Sequence, residues 1–237
     1  MAVKRSQSAT RMLQVFEAVA ATQPQGVSAL ARKLGADKSA VQRDLMTLAD
    51  AGWIRPAPGH AGQWELTPRI LTFARPPHST DALRQKARPV MEHLRRETGE
   101  TAYLTVPEAD HFVVVDALES FHMLRMGPPI GIVVPIAGSA TARAVLPHLA
   151  PDEQVRLLGH AIAPELAGEF AATRAQGYAI NDGDIQPGAV ALASAILDGD
   201  GRPVGSLVVT GPAERLPPPR WAEVGQRLRE AAWQLSG

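Results

Sequence analysis

The chain has 237 residues, 45% of them apolar, and its 24 basic and 24 acidic residues give no net charge at neutral pH. It contains no cysteine, which excludes disulfides, thiolate metal ligands and thiol nucleophiles. No apolar run approaches the roughly 18 residues that a membrane span requires, and the N-terminus lacks the apolar stretch of a signal peptide. We therefore expect a cytoplasmic protein of one large domain or two smaller ones, with no membrane partner.

The charges are unevenly divided along the chain. Residues 1–75 carry ten basic and five acidic side chains, a net charge of +5, and the remainder carries 14 basic and 19 acidic ones, a net charge of −5. A basic N-terminal part beside a larger acidic part favours a polyanionic partner for the first part only. Asymmetry of this size is common, so it indicates nucleic-acid binding only together with a recognition motif.

The first residues predict one helix and, after it, the first of the two helices of a helix-turn-helix. Apolar residues at helical spacing indicate a helix over residues 8–22, which Pro24 and Gly26 end. A short second helix begins at Ser28, whose hydroxyl is suited to cap it, and Gly35 supplies the turn that follows. This second helix and the third helix after Gly35 are two short helices joined by a glycine turn. Such a pair is typical of DNA-binding helix-turn-helix motifs.

The third predicted helix carries the candidate recognition surface. Asp37 caps its start, it runs to about Ala49, and Gly52 closes it. One side is apolar, through Val41 and Leu45, and the opposite side is suited to contact phosphates and base edges. The predicted DNA-binding residues of the second and third helices are Ser28, Lys38, Ser39, Ala40, Gln42, Arg43 and Thr47. An ordinary amphipathic helix with a solvated face is the alternative.

A predicted hairpin follows the third helix directly. Residues 53–55 and 63–66 have the composition of its strands, and residues 56–62, rich in proline and glycine, form its tip. A hairpin in this position is the wing of a winged helix-turn-helix, and it favours DNA binding over the alternative above. We expect Arg55 and His60 to contact the phosphate backbone or the minor groove.

Behind the wing, the pattern predicts a linker helix and an α+β domain. We assign residues 1–75 to the DNA-binding domain, residues 76–98 to the linker helix and residues 99–237 to the remaining domain. A tight-turn signal at residues 198–201 joins two strand-like runs, which favours an antiparallel sheet with flanking helices over a doubly wound parallel one. The strand-like runs are residues 101–106, 111–117, 122–126, 190–197 and 205–210. The helix-like runs are residues 139–149, 152–158, 164–176 and 221–235.

Four segments, in this order, resemble the IclR family of transcriptional regulators. They are residues 37–54, 88–101, 135–144 and 174–212. The resemblance implies a C-terminal effector-binding domain with a GAF-like sheet, a dimer formed through the DNA-binding halves and, in many members, a tetramer formed through the effector halves. Dimerisation also follows from physics, because one helix-turn-helix reads few bases and specific sites usually need two copies. We therefore expect two partners, double-stranded DNA with a palindromic operator and a small-molecule effector.

The chain departs from the family pattern at three positions. Ala137 stands where the third motif usually has histidine, and Arg143 stands where it has lysine. These two departures put a role for that histidine or lysine in doubt here. Ala191 stands where the fourth motif often has cysteine, and this departure removes a polar, reactive atom from the implied pocket.

The resemblance also implies where an effector binds. It places the ligand between the sheet and the loop and helix start at residues 138–141, where free backbone N–H groups suit an anion. The implied effector-binding residues are Met123, Met126, Val134, Gly138, Ser139, Ala140, Thr141, Asn181, Ala189, Ala191, Val208 and Thr210. Because this set is mostly apolar, we expect a small, partly apolar organic acid, aromatic acids included. The alternative is that Met123, Met126 and Val134 are plain core residues.

No sequence signature indicates catalysis, a metal ion or a cofactor. The chain lacks G-x-S-x-G, the phosphate-binding P-loop and the H-E-x-x-H zinc motif, and its seven histidines are scattered. We expect a sequence-specific DNA-binding regulator that forms a homodimer or a dimer of dimers and is not an enzyme. Two other functions stay open: a ligand-binding enzyme on a GAF-like domain, and an architectural DNA-binding protein without an effector.

Overall fold

Three helices and a small antiparallel sheet form the N-terminal unit of the structure, a computed structural model that describes residues 6–72 and 78–237. The chain divides into two units, Met1–Arg75 and Pro76–Gly237. The sheet of the first unit has the strand order β1-β3-β2, which confirms the predicted winged helix-turn-helix. Its elements are α1 (Gln7–Ala21), β1 (Gln25–Gly26), α2 (Val27–Leu34), α3 (Lys38–Asp50), β2 (Ile54–Pro56) and β3 (Gln63–Leu66), followed by a 3-10 turn at Pro68–Thr72.

The two recognition-motif helices differ in how they begin. Gly26 occupies the N-cap position of α2 and Ser28 lies exposed in the first turn, so the prediction that Ser28 caps this helix is wrong. The physical reason is that Gly26 is held extended by its pairing with β3, which sets the helix start. Asp37 does cap α3, as predicted, because its carboxylate accepts from the amides of Ser39 and Ala40 at 2.9 and 3.1 Å.

The core of the N-terminal unit joins all three helices to the wing. Val19 of α1, Leu30 of α2, Val41 and Leu45 of α3 and Ile54 of β2 are each at most 2% exposed. Burying one such side chain contributes about 1.5–3 kcal/mol. This packing, more than helix propensity, therefore holds α3 against the rest of the unit.

A six-stranded antiparallel sheet forms the centre of the C-terminal unit. Its strand order is β6-β5-β4-β9-β8-β7, and helices cover both faces, which confirms the predicted α+β class. The strands are β4 (Thr101–Glu108), β5 (His111–Leu118), β6 (Val133–Val134), β7 (Ala179–Asp182), β8 (Ala189–Leu197) and β9 (Pro203–Pro212). The helices are α4 (His78–Thr98), α5 (Ala140–Val145), α6 (Pro151–Leu158), α7 (Pro164–Gln176) and α8 (Pro218–Leu235), with a 3-10 turn at Leu146–His148.

The sequence pattern misses β6 and β7, and its strand over residues 122–126 is wrong. Those residues form bends and irregular backbone with mostly exposed side chains. They lead into residues 127–129, where two prolines lack the N–H groups that a strand ladder needs. Just before them, Phe121 lies under the guanidinium of Arg95, 4.1 Å from the ring centroid. The sheet edge beside β5 is instead occupied by β6.

The two faces of the large sheet are buried by different helices. Leu104, Leu192 and Leu207 lie on the face that α4 and α8 cover. Tyr103 and Val208 lie on the opposite face, which α5 covers. Because side chains alternate along a strand, neighbouring residues of one strand belong to two separate apolar cores on opposite faces of the sheet.

The predicted linker helix is an integral part of the C-terminal unit. Met91 and Leu94 of α4 are at most 1% exposed and pack in the core against the sheet. Arg84 and Arg88 of the same helix contact Asp116 of β5. The helix therefore packs on the domain behind it, and the predicted boundary between residues 75 and 76 lies outside the described residues.

Candidate DNA interface and effector cavity

The outer side of α3 presents a row of polar side chains. Lys38, Ser39, Gln42, Arg43 and Thr47 are all exposed. The Thr47 hydroxyl donates to the carbonyl of Arg43 at 2.9 Å, which fixes its rotamer and leaves its lone pairs outward. This surface therefore combines two cations with side chains that accept or donate hydrogen bonds, the mixture that base edges and phosphates require.

Ala40 does not belong to this surface, which corrects its prediction as a DNA contact. It is 7% exposed, whereas Ser39 and Gln42 on either side are exposed. The physical reason is the helical rotation, which places Ala40 one turn before the buried Asp44 and next to the buried Val41.

A short hydrogen-bond chain runs along the start of α3. The Ser39 hydroxyl donates to Asp37 Oδ1 at 2.6 Å, and Arg43 Nη1 lies 3.4 Å from Ser39 Oγ. The hydrogen bonds from the Ser39 hydroxyl and the Ala40 amide hold the pKa of Asp37 below its ordinary value. Because its hydrogen is committed to Asp37, the Ser39 hydroxyl presents only its lone pairs to a ligand.

The carboxylate of Asp44 in α3 is turned into the unit. Asp44 is 7% exposed, and Arg11 of α1 donates to it through Nε at 2.7 Å and through Nη2 at 3.4 Å. The hydrogen bond to Asp44 and the attraction of its charge raise the pKa of the Arg11 guanidinium. The negative charge of Asp44 is thus neutralised inside the unit instead of opposing a phosphate.

The wing carries the two other predicted contacts, both exposed. Arg55 Nε donates to Glu65 Oε1 at 2.8 Å, and these residues stand directly opposite each other on β2 and β3. An exposed ion pair contributes little to stability, so a phosphate can replace Glu65 as the partner of Arg55. His60 is exposed at the hairpin tip, with Nδ1 3.1 Å from the Pro58 carbonyl.

The structure also shows basic residues of the N-terminal unit that the sequence reasoning missed. Arg32 and Lys33 are exposed in the last turn of α2. Two adjacent basic residues shortly before the turn glycine were the sequence signal that could have identified them. Arg69 lies with its guanidinium 4.8 Å from the ring centroid of Trp53 and donates to the carbonyl of Ala51. Arg69 therefore supports the wing, whereas Arg32 and Lys33 are available to a phosphate.

A cavity of about 430 Å³ lies on the face of the large sheet that α5 covers. Eight of the predicted effector residues line it, namely Met126, Val134, Ser139, Ala140, Asn181, Ala189, Ala191 and Thr210. The lining that the prediction missed is Tyr103, Gly127, Pro128, Pro129, Ile132, Val133, Pro135, Ile185, Gln186 and Val190. Among the lining residues that the structure describes, none carries a charged side chain, so the cavity is apolar with a few neutral polar groups.

Four predicted effector residues do not line this cavity. Met123 is 97% exposed, because the segment that carries it is not a strand. Gly138 contributes its carbonyl oxygen to a hydrogen bond with Asn181. Thr141 and Val208 are at most 1% exposed and pack between α5 and the sheet, so they support the cavity wall from behind.

Strand register brings three lining residues into one row. Ala191 of β8 stands opposite Asn181 of β7 on one side and opposite Thr210 of β9 on the other. Residues opposite each other on neighbouring strands point to the same face, with strands about 4.8 Å apart. Asn181 and Thr210 therefore flank Ala191, whose single methyl group leaves open space above it.

The loop after β7 is fastened to the turn before α5. Asn181 Nδ2 donates to the carbonyl of Gly138 and lies 3.5 Å from Asp184 Oδ2. Arg143 of α5 donates to the same Asp184 oxygen at 2.8 Å and to the Ile180 carbonyl at 2.7 Å. Arg143, at the position of the family lysine, thus holds the cavity wall together from outside.

The start of α5 is already partly occupied by the protein itself. The Ser139 hydroxyl accepts from the amide of Ala142 at 3.1 Å and caps the helix. This cap uses the Ser139 hydroxyl and the Ala142 amide, which follows directly after the predicted anion site at residues 138–141. Burial raises the pKa of the Tyr103 phenol, an effect that the nearby Thr141 hydroxyl partly offsets. The Thr141 hydroxyl is itself buried, and its geometry falls short of a hydrogen bond to any group in the described parts of the chain.

Residues 6–72 and 78–237 contain no helix that is long and apolar enough to cross a lipid bilayer. Within the same ranges, no group of three or more His, Cys, Asp or Glu side chains is placed to hold a metal ion.

Both units match models of known protein families. Residues 8–58 match the IclR helix-turn-helix domain, and residues 78–237 match the C-terminal domain of bacterial transcriptional regulators of the IclR type. Among curated proteins, the chain is 28% identical to the transcriptional repressor IclR of Escherichia coli, over 97% of this chain and 89% of that protein.

Solved structures share the fold. An IclR family transcriptional regulator from Brucella abortus is similar with a TM-score of 0.77 and 22% identity, over 98% of this chain and 92% of that one. An IclR homolog from Microbacterium hydrocarbonoxydans, solved in complex with 4-hydroxybenzoate, is similar with a TM-score of 0.74 and 21% identity, over 97% of each chain. These two likenesses show the fold alone, and with the family matches they confirm the predicted combination of a helix-turn-helix and a C-terminal domain.

Proposed function

Because the chain belongs to the IclR family of DNA-binding transcriptional regulators, and is therefore not an enzyme, we propose that it binds one operator sequence and that a small effector changes this binding. The observation that carries the proposal is the exposed polar row of α3. It lies on a unit of net charge +5, and the acidic side chain of Asp44 is withdrawn from it.

The DNA contacts we propose follow from this surface. Ser39, Gln42, Arg43 and Thr47 face the base edges of the major groove, where an arginine reads guanine through two parallel hydrogen bonds. Lys38 and Ser28 lie near the helix starts and contact phosphates. On the wing, Arg55 exchanges Glu65 for a phosphate and His60 lies at the tip. The contacts in this proposal are Ser28, Lys38, Ser39, Gln42, Arg43, Thr47, Arg55 and His60.

The effector we propose is a small, partly apolar organic acid, aromatic acids included, bound in the cavity above Ala191. The cavity volume of about 430 Å³ is in the range of small-molecule sites, and its lining is mostly apolar. The IclR homolog from Microbacterium hydrocarbonoxydans, which shares this fold, binds 4-hydroxybenzoate, an acid of this class. A buried carboxylate needs a counter-charge, which the described lining residues do not supply, so we place the carboxylate at the open side near the exposed Gln186, in contact with water.

We also propose a homodimer, or a dimer of two such dimers, on a palindromic operator. One α3 reads only a few base pairs, and two copies double the recognised sequence. Effector binding would favour one spacing of the paired DNA-binding units, with α4 as the connecting element. Because its target is chromosomal DNA, we place this action in the cytoplasm.

The test compares Arg43→Ala with the wild type in fluorescence anisotropy on a duplex from the protein's own promoter. Loss of a base contact should weaken binding by about 1–3 kcal/mol, which is roughly five- to 150-fold. Arg156→Ala removes an exposed arginine of α6 and should leave the affinity unchanged. If Arg43→Ala binds as tightly as the wild type, Arg43 is not part of the readout. If the wild type ignores the duplex at low salt, the regulator proposal fails.

The same assay distinguishes the proposed regulator from an architectural DNA-binding protein without an effector. An architectural DNA-binding protein would hold the duplex with equal affinity whatever small molecule is present. A regulator of the kind proposed here changes its affinity when an organic acid occupies the cavity, and a reproducible change with any member of an aromatic acid series decides between them.

A further inference from the structure

We propose that Asn181 selects effectors that carry a hydrogen-bond donor, a hydroxyl or an amino group, at the end of the cavity beside β7. This inference rests on the proposed function, because it concerns the chemistry of the same cavity. It adds the polarity of the contact, which the apolar lining does not specify.

The orientation of the Asn181 amide is fixed by its neighbours. The amide group faces the carbonyl oxygen of Gly138 and the carboxylate of Asp184, and both of these only accept hydrogen bonds. Turning the amide over would set Oδ1 against two oxygen atoms. The Arg143 guanidinium donates to the Asp184 carboxylate at 2.8 Å and holds it beside the Asn181 amide.

The atom of Asn181 that remains for the cavity is therefore the carbonyl oxygen Oδ1. Asn181 lines the cavity and is only 3% exposed. Its Oδ1 accepts no hydrogen bond from the parts of the chain that the structure describes. An acceptor without a partner gains from a ligand that donates to it, and gains nothing from a ligand oxygen that only accepts.

Thr210, the other polar residue of the row, also offers only a hydrogen-bond acceptor to a ligand. The Thr210 hydroxyl donates to the carbonyl of Val190 at 3.0 Å, so its hydrogen is committed within the sheet. Its oxygen can only accept from a ligand. Asn181 and Thr210 stand two strand spacings apart, roughly 10 Å, with Ala191 between them, so one ligand group reaches one of them at a time.

A carboxylate placed against Asn181 Oδ1 would meet an acceptor, together with the charge of Asp184 behind Asn181. The carboxylate therefore lies at the open side of the cavity, and the ligand has a defined direction. The favoured effector is a ring or short apolar body with an acid group outward and a hydroxyl or amino group inward.

The test uses the full-length wild-type protein and matched ligands in isothermal titration calorimetry. The donors are the three hydroxybenzoates and the three aminobenzoates. Each is compared with its fluoro, methoxy or dimethylamino analogue, which has the same ring but no donor. We expect at least one donor compound to bind about tenfold or more tightly than its own analogues. In Asn181→Leu, we expect that ratio to fall to about threefold or less. Asp182→Ala, an exposed neighbour on β7, should keep the wild-type ratio.

The possible outcomes separate the role of Asn181 from the proposal that an effector binds in this cavity. Analogues without a donor that bind as tightly as their parents overturn the role of Asn181 and leave the effector cavity intact. If none of these acids binds, the proposal that the cavity takes aromatic acids fails, and this inference fails with it. The wild-type comparison does not depend on how well Asn181→Leu folds, because the two ligands of each pair meet the same protein.

Discussion

Arg88 on α4 and Asp116 on β5 form an ion pair in which one guanidinium nitrogen lies 2.8 and 3.0 Å from the two carboxylate oxygens. Asp116 is 1% exposed, and Arg84, one turn earlier on α4, lies 3.5 Å from the same carboxylate. The amide of Ala117 donates to it as well, at 2.9 Å. This carboxylate ties the helix that follows the DNA-binding unit to the sheet that carries the cavity.

Replacing the carboxylate should loosen this attachment. Asp116→Asn keeps the volume but removes the charge that Arg84 and Arg88 share. Hydrogen bonds to charged groups contribute about 1.5–3 kcal/mol, and the half-exposed Arg88 lowers the expected value, so the free energy of unfolding should fall by about 1–2 kcal/mol in urea denaturation. Asp110→Asn, at the exposed turn before the same strand, is the control and should change it by less than about 0.5 kcal/mol. Equal stability of both variants would show that the pair makes no net contribution.

A second prediction concerns Arg11, which holds Asp44 from the neighbouring helix. Arg11→Ala leaves a nearly buried carboxylate in α3 without its cation. We expect a lower thermal midpoint of unfolding, because the buried charge of Asp44 is no longer neutralised. We also expect weaker operator binding, because this negative charge then repels the DNA phosphates. Adding Asp44→Asn to Arg11→Ala should restore much of both losses, as a double-mutant cycle would show. A double variant no better than Arg11→Ala would mean that Arg11 acts through packing alone.

Local signals predict α3 well and the cavity poorly, for a physical reason. The helix follows from the spacing of Val41 and Leu45 and from the cap at Asp37, which are all short-range features. The cavity depends on which strands pair and in what register, which a single sequence does not specify. Tyr103 and Val208 illustrate this, because they stand opposite each other on neighbouring strands. The family motif nominates Val208, yet it is the larger ring of Tyr103 that reaches the cavity.

A third prediction uses two helical glycines that differ in their surroundings. A Cβ added at Gly225 of α8 would lie 2.4–2.5 Å from ring atoms of Tyr178, whereas one added at Gly168 of α7 would meet nothing within 4 Å. Alanine is favoured over glycine in helices by about 0.8–1 kcal/mol, and overpacking costs about 1–3 kcal/mol. Gly168→Ala should therefore stabilise the protein by about 0.5–1 kcal/mol, and Gly225→Ala should destabilise it. Chemical denaturation of both variants tests the signs, and stabilisation by Gly225→Ala would contradict the close approach.

The fourth prediction concerns acid pH and the cap of α3. Hydrogen bonds from Ser39 and Ala40 lower the pKa of Asp37 in the folded protein. The resulting stability is fully present above the ordinary aspartate pKa of about 3.9 and is lost as the pH falls through the lowered folded value. Asp37→Asn keeps a capping oxygen but does not titrate, so the stability difference between wild type and variant should shrink between about pH 5 and pH 2. Thermal midpoints of the two proteins over this range provide the measurement. A constant difference would show that the cap carries no charge-dependent stability.

The last prediction concerns a substitution that fills the proposed effector cavity. In Ala191→Leu, three added carbon atoms extend from β8 into the cavity between Asn181 and Thr210. Because the ligand would need the same volume, the ratio of operator affinities with and without a bound acid should approach one. Ala191→Ser changes the volume little and should keep most of the wild-type ratio. Anisotropy titrations with the acid that binds the wild type most tightly give this ratio directly. If Ala191→Leu responds to that acid as the wild type does, the ligand acts from another place, and the row of Asn181, Ala191 and Thr210 is not the effector site.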